Sequence, residues 1–356
     1  MRLRRILRPV AATVTRRWPP RSRLLLVGEG AGWVIDQELL ELAGVAARLG
    51  VRLGDPRLLT ASRGQAAFFG SQFTLLADPW RAYPHALATA YFHGRPGTPG
   101  MPEFDTAYET LCAHHREIER IQVTHAEMHD LVLSSGIDPA KVFRIRIGVD
   151  VGLFPQRTPA DRSAARRELG LPEQAYVVGS FQKDGVGWGD GEEPKLIKGP
   201  DVLVEAMRIL RERRPELTVL LSGPARGFVR SGLERHGVPY VHVRPETYDG
   251  VARLYAALDA YVVPSRQEGG PKSVLESMAS GVPIVSTRSG QATELIEDGA
   301  NGRLVEVEDP EALADALADD RLPELVAAAR ETALANDKHA QEPLWRAFFD
   351  GFVAHA

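Results

Sequence analysis

Cysteine is almost absent from this chain: Cys112 is the single one in 356 residues. No disulfide can close within it, which fits a reducing compartment, and a cytoplasmic location is expected. No run of 18 apolar residues occurs, so no helical membrane span is expected. Acidic residues are missing from residues 1–23, which hold eight arginines. Past that arm, 35 basic residues face 47 acidic ones, a net of −12, and no nucleic-acid partner is expected. The arm also carries Leu3, Ile6, Leu7, Val10, Val14 and Trp18, a loosely helical apolar stripe interrupted by Pro9. One reading is peripheral contact with anionic membrane on the cytoplasmic face, at about 1 kcal/mol per basic residue near the surface. The other readings are a solubilising tail or a start codon misplaced upstream of Ser22. No continuous apolar stretch follows the arginines, so a cleavable signal peptide is not expected.

What is present is the composition of a soluble globular protein, 44% hydrophobic and 25% charged. The length allows two domains, each with its own core. Residues 23–27 form a short apolar run, then Gly28-Glu29-Gly30-Ala31-Gly32 precedes a helical pattern over 33–49. Strand, glycine loop and helix make the first unit of a doubly wound sheet. The third glycine comes too early for a dinucleotide fingerprint, which argues against a nicotinamide enzyme. Strands are expected at 68–76, 87–92, 121–124 and 142–147, with helices at 103–120 and 125–135. Residues 155–172 read as a linker and a helix. Strands at 176–181, 218–222, 240–243, 260–263, 283–286 and 303–307 then alternate with helices at 200–213 and 248–258. Such alternation argues for a parallel sheet covered on both faces. A last helix is expected over 339–354.

The stretch from Pro264 to Gly302 carries the most chemistry. Glu268 and Glu276 stand eight positions apart across a loop-to-helix junction. Between them Gly269 and Gly270 free the backbone to approach a ligand, and Pro271 sets φ at the helix entry. A helix N-terminus favours phosphate, and carboxylates accept hydrogen bonds from vicinal hydroxyls. Phosphate with polyol describes a nucleotide sugar. A lone glutamate at a helix start also has a plain structural reading, as a partner of the helix dipole.

The segment resembles the donor-site motif of retaining glycosyltransferases of family 4. Glu276-Ser277-Met278-Ala279-Ser280-Gly281-Val282-Pro283-Ile284-Val285 matches its first part, and Gly290, Glu294, Leu295, Ile296, Asp298, Gly299 and Gly302 its second, with one extra residue after Gly290. The resemblance implies an α/β protein of the GT-B fold: two Rossmann-like, doubly wound parallel-sheet domains facing a central cleft. The domains are then expected at 23–154 and 160–335, after the basic arm 1–22, with 336–356 crossing back to the first domain. It further implies retaining transfer of a hexose-type sugar from a nucleotide-diphosphate sugar to a hydroxyl acceptor on a glycan, lipid or small molecule.

Site residues follow from the same resemblance. Lys198, before Pro200, would neutralise the leaving diphosphate. Lys183 would stand in for the family's arginine, which the run Gly179-Ser180-Phe181-Gln182-Lys183 lacks. Glu276 would accept from the donor ribose. Glu268 would address the transferred sugar, with Gly269, Gly270 and Pro271 shaping its loop and Val274 and Leu275 continuing the donor segment. His93 would reach the sugar from the first domain, and Gly28 and Gly30 would let the first loop close. Ile147 replaces the asparagine usual before Gly148-Val149-Asp150. No two aspartates are separated by one residue, so the D-x-D motif of metal-dependent transferases is absent, and neither metal nor cofactor is expected. The long loop 184–197 reads as a mobile surface loop, a lid, an acceptor contact or plain solvated chain. A non-catalytic sugar-nucleotide binder and a nucleotide-sugar epimerase remain alternatives.

Overall fold

The computed structural model describes residues 23–30 and 34–354. The basic arm 1–22 and Trp33 lie outside the described residues. The chain divides into two units, one running to Ile145 and resuming at Glu342, the other Arg146–Gln341.

The first unit contains β1 (Leu24–Val27), α1 (Val34–Arg48), β2 (Ala66–Phe69), α2 (Gln72–Leu75), β3 (Ala86–Ala90), α3 (Pro102–His114), β4 (Ile118–Val123), α4 (Ala126–Ser134) and β5 (Val142–Arg144). Its sheet runs in the order β1-β2-β3-β4-β5, and every pairing is parallel. On the far side of β1, Leu53 bridges to Leu24, so the sheet extends past β1 in both directions. Strands β2 and β3 are buried along their whole length, as a sheet covered on both faces requires.

The strand expected over 68–76 is a correction. It stops at Phe69; Ser71 then accepts a hydrogen bond from the Phe73 amide at 3.3 Å and opens α2. An apolar run reads alike as strand or short helix, and the capping serine decides. The closing helix is also shorter than expected, spanning Glu342–Phe349, with Gly351 at φ +68° soon after. Its Trp345 and Phe348 meet Phe68 edge-on at 5.9 and 5.6 Å, and Phe348 meets Phe143 at 5.1 Å. These contacts place the closing helix on the sheet of the first unit.

The second unit contains α5 (Pro159–Glu168), β6 (Tyr176–Phe181), α6 (Pro200–Arg213), β7 (Leu217–Ser222), α7 (Gly227–Arg235), β8 (Tyr240–Val243), α8 (Tyr248–Tyr255), β9 (Ala260–Val263), α9 (Lys272–Ala279), β10 (Ile284–Thr287), α10 (Ala292–Leu295), β11 (Arg303–Val305), α11 (Pro310–Ala318) and α12 (Val326–Ala335). The parallel order is β11-β10-β9-β6-β7-β8. Alternate strand residues enter opposite cores. Val177, Leu220 and Tyr261 pack with α8 and α9, while Val178, Val219 and Val262 pack with α6 and α11. Helices α7, α10, α11 and α12 were not expected from the sequence. For α11 the signal was present: Asp309 accepts from the Ala312 amide at 2.8 Å, with Pro310 as the first helical residue.

Residues 146–154 belong to the second unit through their own bonds. The Gln291 carboxamide donates to the Ile147 carbonyl and accepts from the Ile147 amide, both at 3.1 Å, and Val149 bridges to Asp337.

Candidate functional site

Chain order reverses in the second sheet between β6 and β9, which are neighbours although β7 and β8 come between them in sequence. A ligand crevice is expected outside the carboxyl ends of such a pair. The segments leaving those ends are 182–199 and 264–271, and the main charged groups converge there. Lys198 Nζ donates to Glu268 Oε2 at 2.7 Å, and Ser265 Oγ donates to Glu268 Oε1 at 2.8 Å. The side chains are 25% and 10% exposed, respectively, so the pair is reachable from solvent while its geometry is held.

The backbone under Lys198 is closely fitted. Gly199 has φ +63°, and a Cβ there would lie 2.1 Å from the Pro264 carbonyl oxygen. Only glycine allows the lysine turn to lie against the end of β9. The Lys198 carbonyl accepts from Gln182 Nε2 at 3.1 Å. Gln182, in the run where the resemblance leads one to look for arginine, therefore supports the lysine turn. Arg266 ties the same parts together. It donates to both Asp201 carboxylate oxygens at 2.8 and 2.7 Å and to the Leu196 carbonyl at 2.7 Å. Its carboxylate partners raise the guanidinium further above its ordinary value. The sequence reading passed over Arg266, although it lies two residues before Glu268.

Glu276 is set differently. It is the fifth residue of α9 and only 5% exposed. Tyr255 donates to its Oε2 at 2.8 Å, and Tyr248 donates to Oε1. Burial, and then the neighbouring Glu276 carboxylate, raise the Tyr255 phenol well above its ordinary value, so it stays a donor. Tyr261 joins the layer: its ring lies 5.2 Å from that of Tyr255, and its hydroxyl accepts from the Phe181 amide at 2.8 Å. Burial pushes the Tyr261 phenol up to about 12.

The other donor-segment residues have structural duties. Val274 and Leu275 continue the segment through α9 with their side chains fully buried in the core beneath it. Gly270 adjoins Ile147, where an added Cβ would lie 2.8 Å from Ile147 Cδ1. The Gly269 carbonyl accepts from the Gln291 amide at 3.0 Å, and Pro271 caps α9. Ile147 thus packs against the glycine loop in place of the asparagine.

Lys183 also belongs to this edge. Its ammonium donates to the Gly185 carbonyl at 3.2 Å and lies 4.9 Å from the centre of the Trp188 ring. Burial, opposed by Asp184 and reinforced by Lys198, lowers its pKa. The excursion 184–197 is anchored to the protein at a few points, while residues 186–190, 192, 193 and 196 are exposed. The Asp190 and Gly191 carbonyls accept from the Gly227 and Phe228 amides at 2.6 and 2.9 Å, covering the start of α7. Beneath it, Asp184 and Arg226 form a buried ion pair at 3.1 Å, and Arg226 also donates to the Ser180, Gln182 and Ser222 carbonyls at the ends of β6 and β7. Burial pushes the Asp184 carboxyl up against the pull of Arg226.

Three expected site residues lie in the first unit, beyond its strand ends. Gly30 donates from its amide to Asp36 Oδ1 at 3.2 Å, and a Cβ on Gly28 would meet the same oxygen at 2.3 Å, so both glycines lie close against Asp36. His93 stacks on Phe73 at 5.6 Å and sits 4.4 Å from Phe92, with its amide and carbonyl bonded to the Gln72 carboxamide. Among the described residues no cluster of acids, histidines and cysteine is arranged to hold a metal ion.

Residues 191–319 match the family described as Glycosyl transferases group 1. The chain carries a glycosyl transferases group 1 domain. The matched residues include Lys198, Glu268 and Glu276 but not Lys183. The chain is also similar to D-inositol 3-phosphate glycosyltransferase of Salinispora arenicola, 35% identical over 209 residues, 52% of this chain and 43% of the relative. For the enzyme of the same name from Corynebacterium urealyticum the identity is 31% over 264 residues, 68% of this chain and 58% of the relative. The chain spans about half the length of the curated relatives it matches. In fold it is similar to Anabaena HepE in complex with UDP-glucose, with a TM-score of 0.73 at 17% identity, covering 93% of this chain and 99% of that one. Sucrose-phosphate synthase of Thermosynechococcus elongatus gives a TM-score of 0.68 at 19% identity, with 93% and 100% coverage. The two parallel-sheet units are those of the GT-B fold.

Proposed function

We propose that this chain transfers a hexose-type sugar from a nucleotide-diphosphate sugar to a hydroxyl acceptor with retention of configuration. The observation that carries the reading is the Lys198–Glu268 pair at the strand switch of the second sheet, with Lys183 on the same edge. Lysines at that edge suit a leaving diphosphate, whose charge grows as the glycosidic bond breaks. Lys198 would exchange its carboxylate partner for phosphate oxygens. Glu268, so released and still held by Ser265, would accept from hydroxyls of the transferred sugar. Glu276 would take the ribose. Catalysis then rests on positioning and charge stabilisation, with the departing phosphate removing the acceptor proton and no protein nucleophile required. The lysines supply the positive charge, so activity is expected to persist in EDTA.

UDP-glucose, bound by Anabaena HepE, is the first donor to try, and D-inositol 3-phosphate, named for the Salinispora and Corynebacterium relatives, the first acceptor. Thermal shift against UDP-, GDP- and ADP-sugars reads donor binding. A donor at 100 times its dissociation constant should stabilise the protein by about 2.7 kcal/mol. Transfer follows by product analysis, with the anomeric configuration from proton NMR. No shift with any donor would overturn the reading; an inverted product would overturn retention alone.

A further inference from the structure

Glu276 as found is closed to a ribose by what covers it. The residue is 5% exposed, and a phenol lies on each carboxylate oxygen, Tyr248 on Oε1 and Tyr255 on Oε2. The carboxylate has lone pairs to spare, so access is what a ribose needs, and the two covering phenols differ in their freedom to move aside. Tyr255 is fully buried, with Phe154, Phe181 and Tyr261 around it at ring-centre distances of 5.7, 5.0 and 5.2 Å. Moving it would open the core. Tyr248 is half-buried and is the first residue of α8, after the Thr247 cap, so its side chain leaves the helix at the exposed end. Its ring meets Phe154 at 5.6 Å and lies 5.0 Å from the Lys272 ammonium.

We infer that Tyr248 is a displaceable occupant of the ribose place on Glu276, its phenol holding one carboxylate oxygen until a ribose hydroxyl takes it. This rests on the donor-binding reading above. A phenol and a secondary alcohol are both single O–H donors, so the exchange replaces one charge-assisted hydrogen bond by another. The carboxylate stays oriented while the site is empty, and the nucleotide must compete with a tethered rival. Selection for ribose follows, because a sugar without hydroxyls cannot make the exchange. Tyr248 is thus a specificity-determining residue, while Tyr255 positions Glu276.

The test compares wild type with Tyr248→Phe by calorimetric titration of UDP, GDP and ADP, each beside its 2′,3′-dideoxy counterpart. Removing the rival hydroxyl should tighten binding of the preferred ribonucleotide by about tenfold, the scale of one hydrogen bond to a charged group. The dideoxy counterpart should be unchanged, so the ratio between the two rises by the same factor. Tyr248→Leu, which also removes the ring, should raise the ratio in the same direction. An unchanged ratio, or an equal change for both nucleotides, would mean that Tyr248 only packs, and would overturn the inference while leaving donor binding intact. If wild type binds none of the three diphosphates, the donor-binding reading falls and this inference with it.

Discussion

Glu268 and Glu276 lie eight residues apart in one motif, yet their surroundings are opposite. Glu268 sits on a loop and is held by a serine hydroxyl and by a lysine ammonium, the partner that an anion can draw away. Glu276 sits inside a helix, sealed by two phenols against an aromatic layer. The first carboxylate is kept in place by charge and the second by packing. In the proposed reaction both would exchange a partner, Glu268 its lysine and Glu276 the Tyr248 phenol, but Tyr255 and the core beneath keep Glu276 in a fixed direction.

Substitutions should separate the two. Lys198→Met removes the exchangeable charge and should lower turnover by about 10²–10³-fold, the range for loss of one group facing developing negative charge. The melting temperature should move little, because the pair is partly exposed; initial rates and a melting curve check both. Glu276→Gln should behave in the reverse proportion. Its amide would turn a donor toward one of two phenols that also donate, at a cost of about 1–3 kcal/mol, visible as an earlier denaturant midpoint. Turnover should fall as well, since ribose loses its acceptor, and a variant with wild-type rates would break the assignment. The smallest effect concerns Lys183. Its lowered pKa means that it loses its proton at a lower pH than an ordinary lysine. Diphosphate affinity should therefore weaken as pH rises toward the ordinary lysine range. Lys183→Gln should bind more weakly at neutral pH and flatten that alkaline decline, which titration at several pH values would reveal.

Both glutamates and Lys198 stood out in the sequence because glycines and prolines mark their loops, and such punctuation is local. It could not locate Tyr248 and Tyr255, which stand 28 and 21 residues before Glu276 and meet it only through packing against the same face of the sheet. Arg266 was overlooked for a related reason, since its partner Asp201 is 65 residues away on α6. Alternating strands and helices made the parallel sheets legible. Local capping chemistry was read less well: Ser71 turned an expected strand into a short helix, and Asp309-Pro310 opened a helix that had not been foreseen. Val274 and Leu275 show a motif doing structural work as well, because a helix that carries Glu276 also buries its apolar neighbours.

The docked excursion between Asp184 and Ile197 has an effect on anions. By placing two of its own carbonyls on the opening amides of α7, it blunts the positive end of that helix. On the proposed reading, a diphosphate approaching this rim would find those two amides already taken and the two lysines still on offer. Trimming the excursion would uncover a decoy, and nucleotides would begin to settle in the wrong berth.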